Sequence, residues 1–268
     1  MISNFTPTKN TDLLIVTGRT WSGKDSVKQE LALKKPIGIH MVRPVQIKVF
    51  NSEPGRTNYE QMKALNEIEP DHPLALSNQP EASDVLQETT NSLQQAANSG
   101  EKLAITFADP KDVPKIETIF KGINPKANIN KVLLMKTSQP GIESNKLLQI
   151  SNKNIPYAKN VAKAKINFDQ LAEERAYRSQ RTAENASASE IDSEINRFLE
   201  PELKTIKDGL ENNEYDFLIQ NPGIGPDEKD YGLKNAMKQI DQLIRLLTSS
   251  KESQKLIEKN NNKELIAA

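Results

Sequence analysis

Hydrophobic positions along this chain fall into two alternating patterns, short unbroken runs and stripes of helical period. Leu13-Leu14-Ile15-Val16 is an apolar run bounded by polar residues, the pattern of a strand buried on both faces. Val27, Leu31 and Leu33 then recur among Lys, Gln and Glu, which predicts a helix running to Lys35 and stopped by Pro36. The stretch from Ile37 to Phe50 is β-rich through Ile39, Val42, Val45, Ile47 and Val49, and residues 80–98 predict a helix closed by Gly100. Leu103 to Phe107 and Lys131 to Met135 are two more buried-strand candidates, with a helix over Val113 to Lys121 between them. Charged helices are predicted over Phe168 to Arg181 and Ile191 to Leu210. A fourth strand over Tyr215 to Ile219 and an amphipathic helix over Leu233 to Leu247 follow. Strands alternating with helices predict an α/β fold, a central parallel sheet with helices on both faces.

Composition narrows the function classes. The 268 residues carry 36 Lys+Arg and 36 Asp+Glu, and this balance argues against a protein that coats nucleic acid through clustered positive charge. With no cysteine, disulfides, thiolate metal sites and cysteine nucleophiles are excluded together. His40 and His72 are the only histidines, which leaves little material for a zinc site or a Ser-His-Asp triad, so each is expected to be a surface or packing residue. No run approaches the ~18–20 apolar residues of a membrane span, and the first residues lack a basic segment followed by an apolar one. The expectation is a cytoplasmic protein with one domain over 1–248. A polar insertion over 137–166 and a polar tail over 249–268 are expected besides.

The candidate chemistry begins where the first strand ends. Gly18-x-x-x-x-Gly23-Lys24 matches the opening of the phosphate-binding P-loop pattern and sits between a predicted strand and a predicted helix. Glycines let backbone N–H groups turn toward a phosphate, the helix start adds its positive end, and Lys24 reaches the β- and γ-phosphates. This predicts a three-layer P-loop fold that binds ATP through Gly18, Trp21, Ser22, Gly23, Lys24, Asp25 and Ser26. Asp25 stands where Ser or Thr commonly holds Mg²⁺, so Asp25 and Ser26 are the candidate metal residues. Trp21, the sole tryptophan, has two uses open to it, covering a bound base or packing on a neighbouring helix.

Beyond this loop, the order of short motifs resembles the guanylate kinase family of nucleoside monophosphate kinases. Tyr215-Asp216 with Asn221 resembles the family's Tyr-Asp-x-x-x-x-Asn strand. Arg197 and Glu202-Leu203 resemble the helix after its lid, and Arg178 and Arg181 stand in place of paired lid arginines. Met41-Val42-Arg43-Pro44, with Glu53 and Tyr59, resembles the segment that binds GMP. Phe50 replaces its second arginine, and Leu76-Ser77-Asn78-Gln79 replaces its Tyr-Gly-Thr. The resemblance implies an acceptor-binding region over 36–100 and a lid over 168–200.

It also implies phosphoryl transfer from Mg²⁺-ATP to a nucleoside monophosphate. Arg43, Glu53, Tyr59, Glu69 and Asp109 would serve the acceptor, and Lys24, Arg178, Arg181 and Arg197 the transferring group, where arginine's fork suits phosphate oxygens. Read without the resemblance, Arg178 lies four residues after Glu174, the spacing of an ordinary exposed ion pair. A catalytically silent domain holding a protein partner in the acceptor groove, or a small-molecule kinase with a different acceptor, is the second reading.

Overall fold

The computed structural model describes residues 11–42, 82–137, 148–149, 173–222 and 229–249. Its strands are β1 (Asp12–Thr17), β2 (Ile39–Met41), β3 (Leu103–Ala108), β4 (Ile129–Lys136), β5 (Leu148–Gln149) and β6 (Phe217–Asn221). They form one sheet in the order β2-β3-β1-β4-β6-β5. Five strands make an all-parallel core flanked by helices, while β5 is a short antiparallel edge on β6. The order departs from chain order because parallel neighbours cannot be joined by a tight turn and need a crossover. Helices supply these crossovers: α1 (Lys24–Lys34) after β1, α2 (Ala82–Asn98) before β3, and α3 (Val113–Ile123) before β4. The expected α/β class is what the chain adopts.

The chain divides into two compact units. The first comprises Met1–Ile15, Lys28–Phe107 and Asp112–Ile129. Leu13, Leu14, Ile15, Leu31, Leu93, Leu103, Ile105 and Phe120 are fully buried in its core. α2 packs on α3, and β2 runs beside β3 with Ile39 opposite Leu103. The entry into β1 is fixed by polar side chains. Thr11 Oγ1 donates to the Glu101 carbonyl at 2.8 Å, and Asn124 Nδ2 donates to the Thr11 carbonyl at 3.2 Å.

The second unit comprises Val16–Val27, Ala108–Lys111 and Asn130–Ala268. Its helices are α4 (173–183), α5 (Ala188–Glu194), α6 (Glu200–Glu211) and α7 (Lys229–Thr248). A π-helical turn, Ile195–Leu199, joins α5 to α6. Pro201 explains this turn, since it has no N–H for the carbonyl four residues back. The chain widens its register there, and Glu200 N–H donates to the Ile195 carbonyl. α7 packs on β6, where the buried Gln239 amide satisfies both backbone groups of Gln220, at 2.9 and 2.8 Å.

Two expectations shift on contact with the structure. The strand predicted over Tyr215 to Ile219 runs instead from Phe217 to Asn221. Tyr215 is spent on packing, and the Asp216 carboxylate accepts from Lys131 N–H at 2.8 Å, so the ladder starts later. The predicted insertion contributes β5 within 137–166. The rest of it beyond Thr137, and the tail beyond Ser249, lie outside the described residues.

Candidate functional site

β1 delivers the chain at Thr17 into a loop over 18–23, and α1 begins at Lys24. Both glycines of this loop are sterically required, for different reasons. A Cβ at Gly18 would run into the Leu134 carbonyl oxygen and lie 2.9 Å from Ser22 Oγ. Gly23 takes φ +99°, in the left-handed region, and a Cβ there would collide with the Asn221 side-chain amide. Between them, Ser22 N–H donates to the Arg19 carbonyl at 3.0 Å and tightens the loop.

Lys24 folds back on the loop that it follows. Its ammonium donates to the carbonyls of Gly18 and Arg19, the latter at 3.1 Å, and lies 3.5 Å from Asp109 Oδ1. Asp109 follows the carboxyl end of β3, as Lys24's loop follows that of β1, the end of parallel sheets where ligands gather. Thus Lys24 and Asp109, two of the residues singled out in the sequence, are brought together. Asp25 is exposed and Ser26 half-buried on the first turn of α1.

The three residues after Gly18 are anchored elsewhere. Arg19 is buried, with Nε donating to the Leu199 carbonyl at 3.2 Å, and its guanidinium lies 3.2 Å from Glu173 and 3.6 Å from Glu174. Burial pushes the Glu173 carboxyl up to about 7, against the opposing pull of Arg19, the Lys136 N–H and Lys24. Thr20 gives both its N–H and its hydroxyl to the Glu202 carboxylate, at 2.6 and 2.8 Å. Trp21 holds φ +73°, a region that bulky residues seldom occupy, and meets Tyr177 edge-to-face with ring centroids 5.5 Å apart. It packs on a cluster of Tyr177, Ile191, Ile195 and Leu199. Of the two uses open to Trp21, packing is the one seen. Asn221, at the end of β6, donates to the Ser22 carbonyl at 2.9 Å.

The predicted lid arginines are held by carboxylates of their own segment. Arg178 pairs with Asp192 at 2.7 Å, not with Glu174, which the chain path sends to Arg19. Arg181 bridges Glu184 at 2.7 Å and Glu194 at 2.9 Å. Tyr177 hydroxyl donates to Glu194, and burial together with that carboxylate pushes the phenol up to about 12. Arg197 is exposed on the π-helical turn. Arg43, Glu53, Tyr59 and Glu69 lie outside the described residues.

Arg19, Glu173, Glu202 and Asn221 are the site residues that reading for chemistry passes over. Asn221 and Glu202 were visible as parts of motifs, whereas Glu173 is one charge among many on a helix face. His40, on β2 in the first unit, has its pKa lowered by burial, with Glu101 opposing. Among the described residues no group of three or more His, Asp or Glu is placed to hold a metal ion, and no helix is long and apolar enough to cross a membrane.

No family model and no curated protein matches this chain. Among solved structures, one described as "Crystal structure of APE1195" is similar over 61 % of this chain and 78 % of its own, at 14 % identity and a TM-score of 0.28. Likeness of that degree adds nothing to the fold described above.

Proposed function

We propose that the loop over 18–23 and Lys24 hold the phosphates of ATP, and that the chain transfers a phosphoryl group to a nucleoside monophosphate, as guanylate kinases do. The observation that carries this reading is the placement of Lys24. A charged ammonium at the start of a helix, resting on two carbonyls of a glycine-bounded loop, is poised to exchange them for phosphate oxygens. The P-loop identity of the segment is part of this proposal.

Magnesium suits the residues present. Asp25, Ser26 and Asp109 offer the hard oxygen donors that Mg²⁺ takes, and this ion keeps several waters and uses only one or two carboxylates. When bound it would neutralise phosphate charge. Lys24 does the same from the protein side, and Asp109, 3.5 Å from it, keeps the ammonium aimed at the carboxyl ends of the strands. Of the lid arginines, Arg178 is better suited to reach a phosphoryl group. Its half-exposed pair with Asp192 is worth only about 0–1 kcal/mol and is readily exchanged. Arg181, gripped by two carboxylates, serves the lid's own structure.

The test is coupled ADP release from Mg²⁺-ATP with GMP, dGMP, AMP, CMP and UMP, for wild type and Lys24→Ala. Turnover with one acceptor that disappears in the variant is the expected result. Absence of turnover, together with no ATP-dependent change in the fluorescence of the single tryptophan, would overturn the proposal.

A further inference from the structure

We infer that Arg19, Thr20 and Trp21 form a strap that couples the position of Lys24, and hence occupancy of the loop, to the lid segment, with Arg19 as the positioning residue. The occupancy half of this statement rests on the nucleotide-binding reading above. Three consecutive loop residues each grip that segment or the helix that follows it. Arg19 holds Glu173 and Glu174 of α4 and the Leu199 carbonyl of the π-helical turn. Thr20 holds Glu202 of α6, and Trp21 packs on Tyr177 of α4 and on Ile191, Ile195 and Leu199.

Two of these grips are costly, which is why they point to a role beyond stability. Taking a guanidinium and a carboxylate out of water carries a desolvation penalty that the attraction of the pair often no more than offsets. A tryptophan in the left-handed region adds backbone strain. Phosphate binding alone calls for neither, because backbone amides and small residues suffice. Both lie side by side, and both are directed at the same segment.

Residue 19 also has a second connection. Its carbonyl accepts from the Lys24 ammonium at 3.1 Å, while its side chain reaches the lid segment. A phosphate that draws Lys24 away leaves the Arg19 carbonyl with the Ser22 N–H as its remaining donor of the two, and the shift in residue 19 is transmitted through a planar, buried guanidinium to α4 and the π-helical turn. Flexible Lys at this position would keep the charge but not the fork that fixes three partners at once. Coupling of this kind is measured as non-additivity.

The experiment is amide hydrogen exchange of the full chain over 173–183 and 188–199, in wild type, Lys24→Ala, Arg19→Lys and the double variant, first without ligand. Lys24→Ala is expected to change exchange there several-fold in the Arg19 background and to have little effect in the Arg19→Lys background. Equal effects in both backgrounds, or none in either, would overturn the strap. Should Arg19→Lys fail to fold, Glu202→Ala takes its place in the same cycle, since it removes both bonds that Thr20 makes to the lid-side helix and leaves the Arg19–Glu173 pair intact. A second arm adds Mg²⁺-ATP. Protection of 18–24 in the wild type tests the nucleotide reading by itself, and its absence there leaves the ligand-free cycle to decide the strap. With turnover, Arg19→Lys lowers kcat while KM for ATP stays close to wild type; a change in KM alone would count against positioning.

Discussion

In the first unit, buried polar side chains such as Thr11 and Asn124 finish backbone groups at the ends of elements, and the core between them is apolar. In the second unit, apart from Gln220, Asn235 and Gln239 where α7 meets β6, the buried polar groups gather around one loop. Arg19 and Glu173 form a buried ion pair once Glu173 has lost its proton, Asn221 holds the loop's carbonyl, and the hydroxyls of Thr17, Ser22 and Thr137 are buried with no hydrogen-bond partner among the described residues. The first arrangement satisfies donors and acceptors at little cost. The second carries desolvation and strain that a purely structural loop has no reason to carry. Polar burial therefore marks the candidate site.

Glycine substitution breaks this comparison most forcefully. Gly18→Ala sets a Cβ against the Leu134 carbonyl oxygen and should destabilise by about 1–3 kcal/mol or more, read by thermal unfolding; on the proposed function it should also abolish any ATP-dependent change in Trp21 fluorescence. A Gly18→Ala protein that melts like wild type would mean that the loop has room to move. Next in size is Trp21→Ala, which removes the edge-to-face pair and apolar cover of the Tyr177 cluster for about 1–2 kcal/mol, measured by urea unfolding.

The pH dependence of stability should separate the two units by sign. In the second, folded Glu173 keeps its proton up to about 7, whereas an ordinary glutamate has lost it above 4.5. The folded state therefore binds more protons in that window, and this group withdraws stability as pH rises from about 5 to 7. In the first, the pKa of His40 is lowered by burial, so the unfolded chain binds the proton first and stability is lost as pH falls below the ordinary 6.5. Melting curves across pH 5 to 8 should show Glu173→Gln gaining on wild type as pH rises and His40→Gln gaining on it as pH falls. Parallel curves would show that neither group is shifted. The smallest effect belongs to Gly122→Ala on α3, where a Cβ meets nothing within 4 Å among the described residues. Helix propensity should raise stability there by about 0.5–1 kcal/mol, visible as a small rise in melting temperature.

The strands β1, β3 and β4 were legible because apolar runs are local. Four consecutive buried residues, Leu13 to Val16, need no distant partner to be recognised. The glycine pattern of the loop was legible for the same reason, since the backbone geometry that it serves spans a few residues. The site's partners were not. Thr20 finds Glu202 across 182 positions and Ser22 finds Asn221 across 199. Arg178 shows how local spacing misleads, because its i,i+4 neighbour Glu174 is turned toward Arg19 and Asp192 takes its place.

By itself, then, the sequence determined the alternation of strands and helices, the α/β class, and a glycine-bounded loop ending in Lys24 between β1 and α1. Those follow from unbroken apolar runs, from the helical period of 3.6 residues and from the steric freedom of glycine, which act over a turn or two of chain. Only the tertiary structure decided which carboxylates meet Arg19 and Thr20, that Asp109 faces Lys24, and that Trp21 packs on Tyr177. Charge and aromatic pairing depend on separations of a few ångströms, and those are set by how crossovers return the chain.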